Sequence, residues 1–173
     1  MNVREESKQE HDNVENTIFA QRLLSGDFTD LDYIRYLNAQ FFIFEKMESY
    51  SGFNLPDPSL RRKEKILLDL NELESRDLVI QIPNTVIEYK KRLVTIDTEE
   101  KRNSHVYLNY LGMMFGGSIV AKNVRTQGRI YQFENRNECI AAIRSLPVDV
   151  SEVKLGFEFH TKIMNELEDM RES

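Results

Sequence analysis

The pattern of apolar and polar residues along the chain is typical of a protein built almost entirely from helices. In most segments apolar residues recur every three or four positions, a spacing that puts them on one side of a helix. We predict helices over residues 3–24, 30–51, 59–75, 84–97, 98–122, 135–146 and 149–171. Segment 78–83 alternates weakly, but Pro83 and the helical neighbours favour a loop, and 129–133 is predicted to be a short extended piece.

The ends of the first predicted helices carry specific local signals. Ser25, Gly26 and Asp27 are expected to end the first helix, and Thr29 can cap the second, which has Asp32 at its third helical position. Two prolines and a glycine predict a loop over 51–58. Because no repeat or linker interrupts the pattern, we predict one all-α domain over residues 1–173.

The predicted helix 98–122 contains residues that are unfavourable in a helix. Its apolar positions 107, 110, 111, 114, 115 and 119 share one helical side, yet Gly112, Gly116 and Gly117 lie among them. Each glycine costs about 1 kcal/mol against alanine in a helix interior. The glycines therefore indicate either a large flat ligand close to the backbone or tight packing against another helix, and the pattern alone leaves both open.

A candidate metal ligand lies near the N-terminus. His11 and Glu15 are four residues apart, so on a helix they share one face. A carboxylate at this distance can hold one ring N–H of the imidazole and leave the other nitrogen free to bind a metal ion. Taken alone, the pair would favour a solvated surface contact. Together with the glycine-rich helix, it indicates a haem held between two helices.

Two motifs in the chain resemble those of the haem oxygenase family that produces biliverdin. The first runs from His11 to Glu48 and contains His-x3-Glu-Asn-x2-Phe, followed by Gly26-x2-Thr29. The second, Tyr107-x2-Tyr-Leu-Gly-x3-Gly-Gly117, is similar to the family's Tyr-x2-Tyr-Leu-Gly-Asp-Leu-Ser-Gly-Gly. Weaker similarities occur at 60–70 and 157–167. The resemblance covers most of the chain.

The resemblance implies a haem-oxygenase-like helical bundle with haem between a proximal and a distal helix. It implies that His11 is the sole protein ligand of the haem iron and that Glu15 orients its other nitrogen. The distal glycines, Gly117 included, would approach the ring closely. Further candidate residues for binding the haem and its propionates are Arg4, Lys8, Phe44, Tyr107, Arg136 and Arg144.

Two positions depart from the family's pattern on the distal side. Met113 stands where the family usually has an aspartate that orders a water molecule, and Phe44 stands where it has a tyrosine that supports this water. Asn109 replaces a usual arginine and is a candidate for partial compensation. Gly112, Gly116, Asn109 and Met113 are therefore the candidate catalytic residues. A methionine sulfur is only a weak acceptor, so the resemblance implies haem binding more strongly than turnover.

The implied function is a haem-degrading monooxygenase that uses O2 to cleave haem to biliverdin, carbon monoxide and iron. Electrons would come from an external donor, either a ferredoxin or a flavin reductase. The alternative is a catalytically weak or inactive protein of the same fold that binds or senses haem, and a third class is a member that binds no haem. We expect slow but real cleavage, because the other parts of the haem sandwich are kept.

The composition of the chain indicates its compartment and excludes some classes of partner, and the two remaining histidines are expected to have structural rather than ligand roles. The 173 residues carry a net charge of −6, which argues against general binding to nucleic acid or anionic membranes. The single cysteine, Cys139, suits a reducing compartment, and no apolar run is long enough for a membrane span. We expect a monomer in the cytoplasm or in a plastid-like soluble compartment. His105 is expected at the surface, and His160 is expected to be partly buried with its bonds satisfied.

Overall fold

The computed structural model describes residues 2–50, 52–73 and 81–171, and within them the regular structure is helical throughout. Two short 3-10 helices, Pro58–Leu60 and Arg129–Tyr131, accompany ten α-helices in this part of the chain. The α-helices are α1 Val3–Glu6, α2 Lys8–Glu15, α3 Ile18–Ser25, α4 Asp30–Ser49, α5 Lys63–Glu72, α6 Asn84–Thr95, α7 Glu99–Met114, α8 Gly116–Val120, α9 Arg136–Arg144 and α10 Val150–Met170.

The first predicted helix is divided into three pieces by two polar residues. Ser7 ends α1 and donates its hydroxyl hydrogen to the carbonyl of Val3 at 2.7 Å. Thr17 turns the chain into extended geometry and its side chain accepts a hydrogen bond from the backbone N–H of Ala20, which starts α3. Such side-chain bonds offer the backbone an alternative to continuous helix, so the prediction of one helix over 3–24 is wrong in detail.

Other boundaries also differ from the predictions. The helix predicted over 98–122 ends at Met114 and resumes as α8 at Gly116. The segment predicted to be extended, 129–133, instead begins with a 3-10 turn, because Gly128 adopts a left-handed φ of 65° and tightens the chain. Residues 81–83 of the predicted loop are neither helix nor strand, and the rest of that loop, 78–80, lies outside the described residues.

The capping signals between α3 and α4 are confirmed. Gly26 ends α3 with a φ of 87°. Thr29 and Asp32 form a reciprocal capping box: the Thr29 N–H donates to the Asp32 carboxylate at 2.8 Å, and the Asp32 N–H donates to the Thr29 hydroxyl at 3.1 Å. Both bonds satisfy N–H groups that the first turn of a helix leaves unpaired.

The long C-terminal helix α10 lies at the centre of the arrangement. It packs against α2, α3, α4, α6 and α7, so the N-terminal helices and the glycine-rich helix α7 are both held on its surface. Ion pairs fix its end: Arg22 of α3 donates to Glu168 at 2.9 Å, and Arg171 donates to Asp32 of α4 at 3.0 Å. None of the helices in the described ranges has the length and apolar character needed to cross a bilayer.

One carboxylate connects α4, α5 and α7. Glu48 accepts hydrogen bonds from the backbone N–H groups of Arg62 and Lys63, at 2.7 and 3.1 Å, and from the hydroxyl of Tyr110 at 2.8 Å. The buried Arg62 then donates to backbone carbonyls of the 3-10 segment, including Ile130 at 3.1 Å. These bonds fix α7 against the second half of α4.

Candidate functional site

The three glycines of α7 and α8, two helices that we call the distal segment, have different surroundings. A Cβ atom added at Gly112 or Gly116 would meet no atom of the described residues within 4 Å. A Cβ atom at Gly117 would come within 2.5 Å of Cδ1 of Tyr131, so this glycine permits close packing in the core. Tight packing therefore accounts for Gly117, whereas Gly112 and Gly116 leave the backbone bare on an accessible face.

The two bare glycines belong to an exposed stripe along α7 and α8, which we call the glycine stripe. It consists of Gly112, Phe115, Gly116 and Ile119, whose spacing of three and four residues puts them on one side. Phe115 is 42% exposed and Ile119 is 48% exposed. A flat apolar surface of this kind, with backbone accessible between two large side chains, fits a flat apolar ligand such as a porphyrin ring.

The imidazole of His11 on α2 is accessible, with 55% of its side chain exposed. Its Nδ1 atom lies 3.4 Å from Oδ1 of Asp12 and 3.9 Å from Oε2 of Glu15. The two carboxylates therefore surround one ring nitrogen and leave Nε2 as the nitrogen available to a metal ion. The ring edge rests on Phe157 of α10, with 5.5 Å between the ring centroids.

Asp12 is a contributor that the sequence analysis missed. At 3.4 Å it lies closer to His11 Nδ1 than Glu15 does, although it follows His11 directly and offers no helical spacing signal. A hydrogen bond from Lys8, at 2.6 Å, is the largest of the effects that lower the pKa of Asp12. The Lys8 ammonium is thus already paired with Asp12 in this structure. Lys8 lies about one turn before His11 on α2.

Two guanidinium groups lie close enough to Tyr107 to act on it. Burial raises the pKa of Tyr107, and the positive charges of Arg144 and Arg4 act in the opposite direction. This electrostatic interaction indicates that α1, the middle of α7 and the end of α9 lie close together. Arg144 also lies over the ring of Phe115, at 5.3 Å from its centroid, beside the glycine stripe.

Arg136 also lies over the ring of the same phenylalanine. Its guanidinium is 5.2 Å from the centroid of Phe115 and donates to the carbonyl of Met114 at 3.1 Å. This carbonyl is among those that the end of α7 leaves without a helical partner, so Arg136 acts as a cap for the broken helix. The arginine is therefore held at the stripe by backbone as well as by the aromatic ring.

The structure gives the direction of the Asn109 side chain, which the sequence could not. Its amide nitrogen donates to the carbonyl of His105 at 2.9 Å and to the hydroxyl of Tyr89 at 3.0 Å. Its amide oxygen lies 2.7 Å from Nε2 of His160. Asn109 is thus turned into a buried polar network among α6, α7 and α10, away from the glycine stripe.

The expectation that His105 lies at the surface is wrong. His105 is fully buried, and α7 begins at Glu99 rather than beside it. Its two ring nitrogens face the hydroxyl of Tyr89 at 2.7 Å and the carboxylate of Glu152 at 2.8 Å. His160 is buried rather than partly buried, and its bond to Asn109 confirms the expectation that its polar atoms are satisfied. Neither residue offers the exposed imidazole that His11 does.

The residues at the two departures from the family's pattern lie in apolar surroundings. Phe44 is buried, and its ring meets the ring of Tyr110 edge-on with centroids 5.0 Å apart. Met113 is 7% exposed and belongs to the same hydrophobic core. The nearby carboxylate of Glu48 already accepts from Tyr110 and from two backbone N–H groups. Glu48 is therefore already engaged by these three donors and does not replace the carboxylate that Met113 lacks.

Comparison with known proteins gives a consistent family match. The family model described as Heme oxygenase matches residues 1–168. The haem oxygenase of Guillardia theta is 27% identical over 200 residues, which cover 96% of this chain and 84% of that protein. Haem oxygenase 2 of Macaca fascicularis is 24% identical over 202 residues that cover 96% of this chain, and the match spans 64% of that longer protein.

Solved structures with the same fold agree with the sequence matches. The crystal structure of haem oxygenase-1 from Synechocystis in complex with haem superposes with a TM-score of 0.81 at 23% identity, and covers 97% of this chain and 91% of that chain. The haem oxygenase of Leptospira interrogans has a TM-score of 0.77 at 24% identity, and covers 95% of this chain and 97% of that chain.

Proposed function

The chain belongs to the haem oxygenase family, and we propose that it cleaves haem with O2 to biliverdin, carbon monoxide and iron. The observation that carries this proposal is the glycine stripe, where Gly112 and Gly116 leave the backbone bare on an accessible apolar face. These glycines also occur at the family's spacing in the motif that begins at Tyr107.

Family membership confirms three of the expectations from the sequence. The fold is all-α, the class of activity is that of a haem-degrading oxidoreductase, and haem and O2 are its substrates. The individual site residues and the assignment of the whole chain to a single domain stay predictions, and their roles here are part of the proposal.

On the proximal side, we assign the iron ligand to Nε2 of His11. The exposed imidazole and the two carboxylates at Nδ1 support this role, since an acceptor at one nitrogen leaves the other to bind the metal ion and raises its basicity. Both Asp12 and Glu15 are within reach, so the acceptor is shared between them in the proposal. Bound haem would supply the iron at which O2 is activated.

The propionates of the haem need cations and hydroxyl groups at the mouth of the site. Arg4 and Arg144 are the best supported cations, because both act electrostatically on Tyr107. Lys8 can contribute only after it releases Asp12, to which it donates at 2.6 Å. Tyr107 completes the set as a hydrogen-bond donor, since burial raises the pKa of its phenol.

On the distal side, the proposal assigns the close face to Gly112 and Gly116. Gly117 contributes indirectly, because its contact with Tyr131 holds α8 against the core. Asn109 fixes the rotation of α7 through its bonds to Tyr89 of α6 and His160 of α10, and this rotation turns the two bare glycines outwards. The role of Asn109 is thus to position the helix rather than to contact haem.

The second candidate is a weak or inactive protein that binds or senses haem. It rests on the apolar surroundings of Met113 and Phe44 alone, and the family match does not favour it. We further propose an external electron donor, a ferredoxin or a flavin reductase, and a monomeric state. The single buried thiol of Cys139 supports a reducing compartment such as the cytoplasm or a plastid-like compartment.

The test is a single-turnover assay of the ferric haem complex supplied with ascorbate, or with ferredoxin and its reductase. Loss of the Soret band with growth of a red-absorbing bilin band is the expected result. A Soret band that persists under both reductants would favour the binding or sensing protein. A chain that leaves the spectrum of added haem unchanged would overturn haem binding altogether.

A further inference from the structure

The buried face of α4 carries one polar side chain at its centre. Residues 33, 36, 40, 44 and 47 follow each other at helical spacing, and all five are buried. Four of them are tyrosine, phenylalanine or methionine, and the fifth is Gln40, which is 1% exposed. The side-chain oxygen Oε1 of Gln40 has no hydrogen-bond partner in the described part of the chain.

An unpaired buried amide oxygen is unusual enough to require an explanation. Buried polar groups are almost always paired, and replacing an unpaired one by an apolar side chain of the same shape is neutral or stabilising. Leucine or methionine at the centre of this apolar helix face would therefore give a protein at least as stable as one with glutamine. The presence of Gln40 there indicates a polar partner that lies outside the described part of the chain.

Contacts on both sides of Gln40 show which part of the molecule it faces. Towards the end of α4, Phe44 meets Tyr110 of α7, and the Sδ atom of Met47 lies 3.7 Å from the amide nitrogen of Asn109. The buried face of α4 therefore lies against α7 at this end.

Towards the start of α4, the hydroxyl of Tyr33 lies 2.9 Å from the hydroxyl of Tyr131, whose ring covers Gly117 of α8. Gln40 is seven residues from Tyr33 and seven from Met47, which is about 10 Å along the helix in each direction. The two sets of contacts lie at Asn109 and Gly117, so Gln40 is level with the segment between them that carries Gly112 and Met113.

We propose that the Gln40 amide is the distal hydrogen-bond donor of this protein and that it contacts water or a small anion held at the haem iron. The amide can present its N–H₂ group by rotation, because amide oxygen and nitrogen can exchange places in the same volume. The polar group that Met113 removes from α7 is thus supplied from the opposite wall, by α4. This inference rests on the proposed function, since it requires haem in the site.

The test uses fluoride as a probe of distal donors in the ferric haem complex. Fluoride is a strong acceptor, and its dissociation constant is obtained by optical titration without turnover. Gln40→Leu removes the donor and should weaken fluoride binding about tenfold, the size expected for one hydrogen bond to a charged acceptor. The same substitution at the exposed Gln81, Gln81→Leu, should leave the fluoride affinity unchanged.

A second measurement follows the pH at which the water of the ferric complex loses its proton. A donor to hydroxide favours the deprotonated form, so Gln40→Leu should move this transition to higher pH. Gln40→Met has nearly the length of glutamine and serves if the branched leucine disturbs haem uptake. Gln40→Met should reproduce both the weaker fluoride binding and the shift of the transition to higher pH.

The outcomes separate this inference from the proposed function. If both variants bind haem and keep the wild-type fluoride affinity and pH transition, the inference is overturned while haem cleavage stands. If the wild-type protein takes up no haem, the proposed function and the inference fail together. A loss of fluoride affinity in Gln40→Leu and Gln40→Met, but not in Gln81→Leu, would support the donor.

Discussion

The imidazole Nε2 atom of His105 lies 2.8 Å from Oε1 of Glu152, between α7 and α10, and both side chains are buried. Arg92 of α6 completes the contact, with Nη2 at 2.7 Å from the other carboxylate oxygen. Burial acts to raise the pKa of Glu152, but the hydrogen bonds from His105 and Arg92 outweigh it and lower the pKa to about 2. One ionised carboxylate thus joins three helices behind the glycine stripe.

This network predicts that acid destabilises the protein in two successive ranges. Burial lowers the pKa of His160 from its ordinary 6.5 to about 4, so the unfolded chain takes up the proton first. Stability should therefore fall as the pH drops from 6.5 towards 4, by about 2 kcal/mol between pH 7 and 5. The stabilisation from ionised Glu152, present above about pH 4.5, should be lost between 4.5 and 2.

Urea unfolding of the haem-free protein at a series of pH values measures how the free energy of unfolding changes in both pH ranges. His160→Gln keeps a donor for Asn109 but does not titrate, so it should reduce the slope of the curve between pH 6.5 and 4. The slope that remains comes from His105, since burial lowers its pKa as well. Asn13→Ala, an exposed substitution that adds and removes no titratable group, serves as the control and should retain the wild-type slope. Equal slopes in wild type and His160→Gln would contradict the assignment to His160.

The glycines of the distal segment should respond to alanine in opposite ways. Gly112→Ala adds a methyl group in open space, so it should stabilise the haem-free protein by about 0.5 to 1 kcal/mol through helix propensity. Gly117→Ala drives its Cβ atom to 2.5 Å from the Tyr131 ring and should destabilise it by about 1 to 3 kcal/mol. Thermal unfolding without haem measures both changes.

Haem binding by the Gly112→Ala variant tests whether Gly112 faces the ligand, in contrast to Gly117, which packs in the core. Gly112→Ala should weaken haem binding about tenfold, since its methyl group stands where the ring would approach the backbone. Titration of the apo-protein with haem gives this value directly. A Gly112→Ala variant that is more stable and binds haem as well as wild type would exclude this glycine from the haem face.

The proposed iron ligand can be tested by spectroscopy and by chemical rescue. His11→Ala should abolish the ferric Soret spectrum of a histidine complex, and added imidazole should restore it by occupying the space of the missing ring. Asn13→Ala, an exposed substitution on the same helix, provides the control and should retain the wild-type spectrum. A histidine-type spectrum that survives in His11→Ala without imidazole would refute the assignment.

The missing distal carboxylate gives the last prediction. Met113→Asp should leave haem affinity nearly unchanged, because the ring is held by His11 and the glycine face, and it should raise the rate of bilin formation. Since residue 113 is 7% exposed, the buried carboxylate should also lower stability by about 1 to 3 kcal/mol. Met113→Leu conserves volume without a polar group, so its turnover and unfolding should match wild type.

A turnover rate that falls in Met113→Asp would have a different meaning. It would show that the chain has its own distal arrangement, of which Gln40 is our candidate, and that a carboxylate on α7 interferes with it. Combining Met113→Asp with Gln40→Leu then measures whether the two side chains act on the same ligand, because effects on a shared partner are not additive.

The amino-acid sequence by itself determined the features that depend on nearby residues. Helix periodicity and capping involve positions within about four residues of each other, so the all-α class and the Thr29–Asp32 capping box could be predicted. The spacing of His11 with Glu15 and the order of the glycines likewise carried the family resemblance. Single local competitors, such as Ser7 and Thr17, were enough to divide a predicted helix.

Only the tertiary structure decided how these helices face one another. His105 is buried because Tyr89 and Glu152, 16 and 47 residues away along the chain, bring their polar atoms to its ring. The three glycines look alike in the sequence, and the ring of Tyr131 alone distinguishes Gly117 from the bare positions. Such contacts depend on how whole helices pack, and no residue pattern within one helix contains that information.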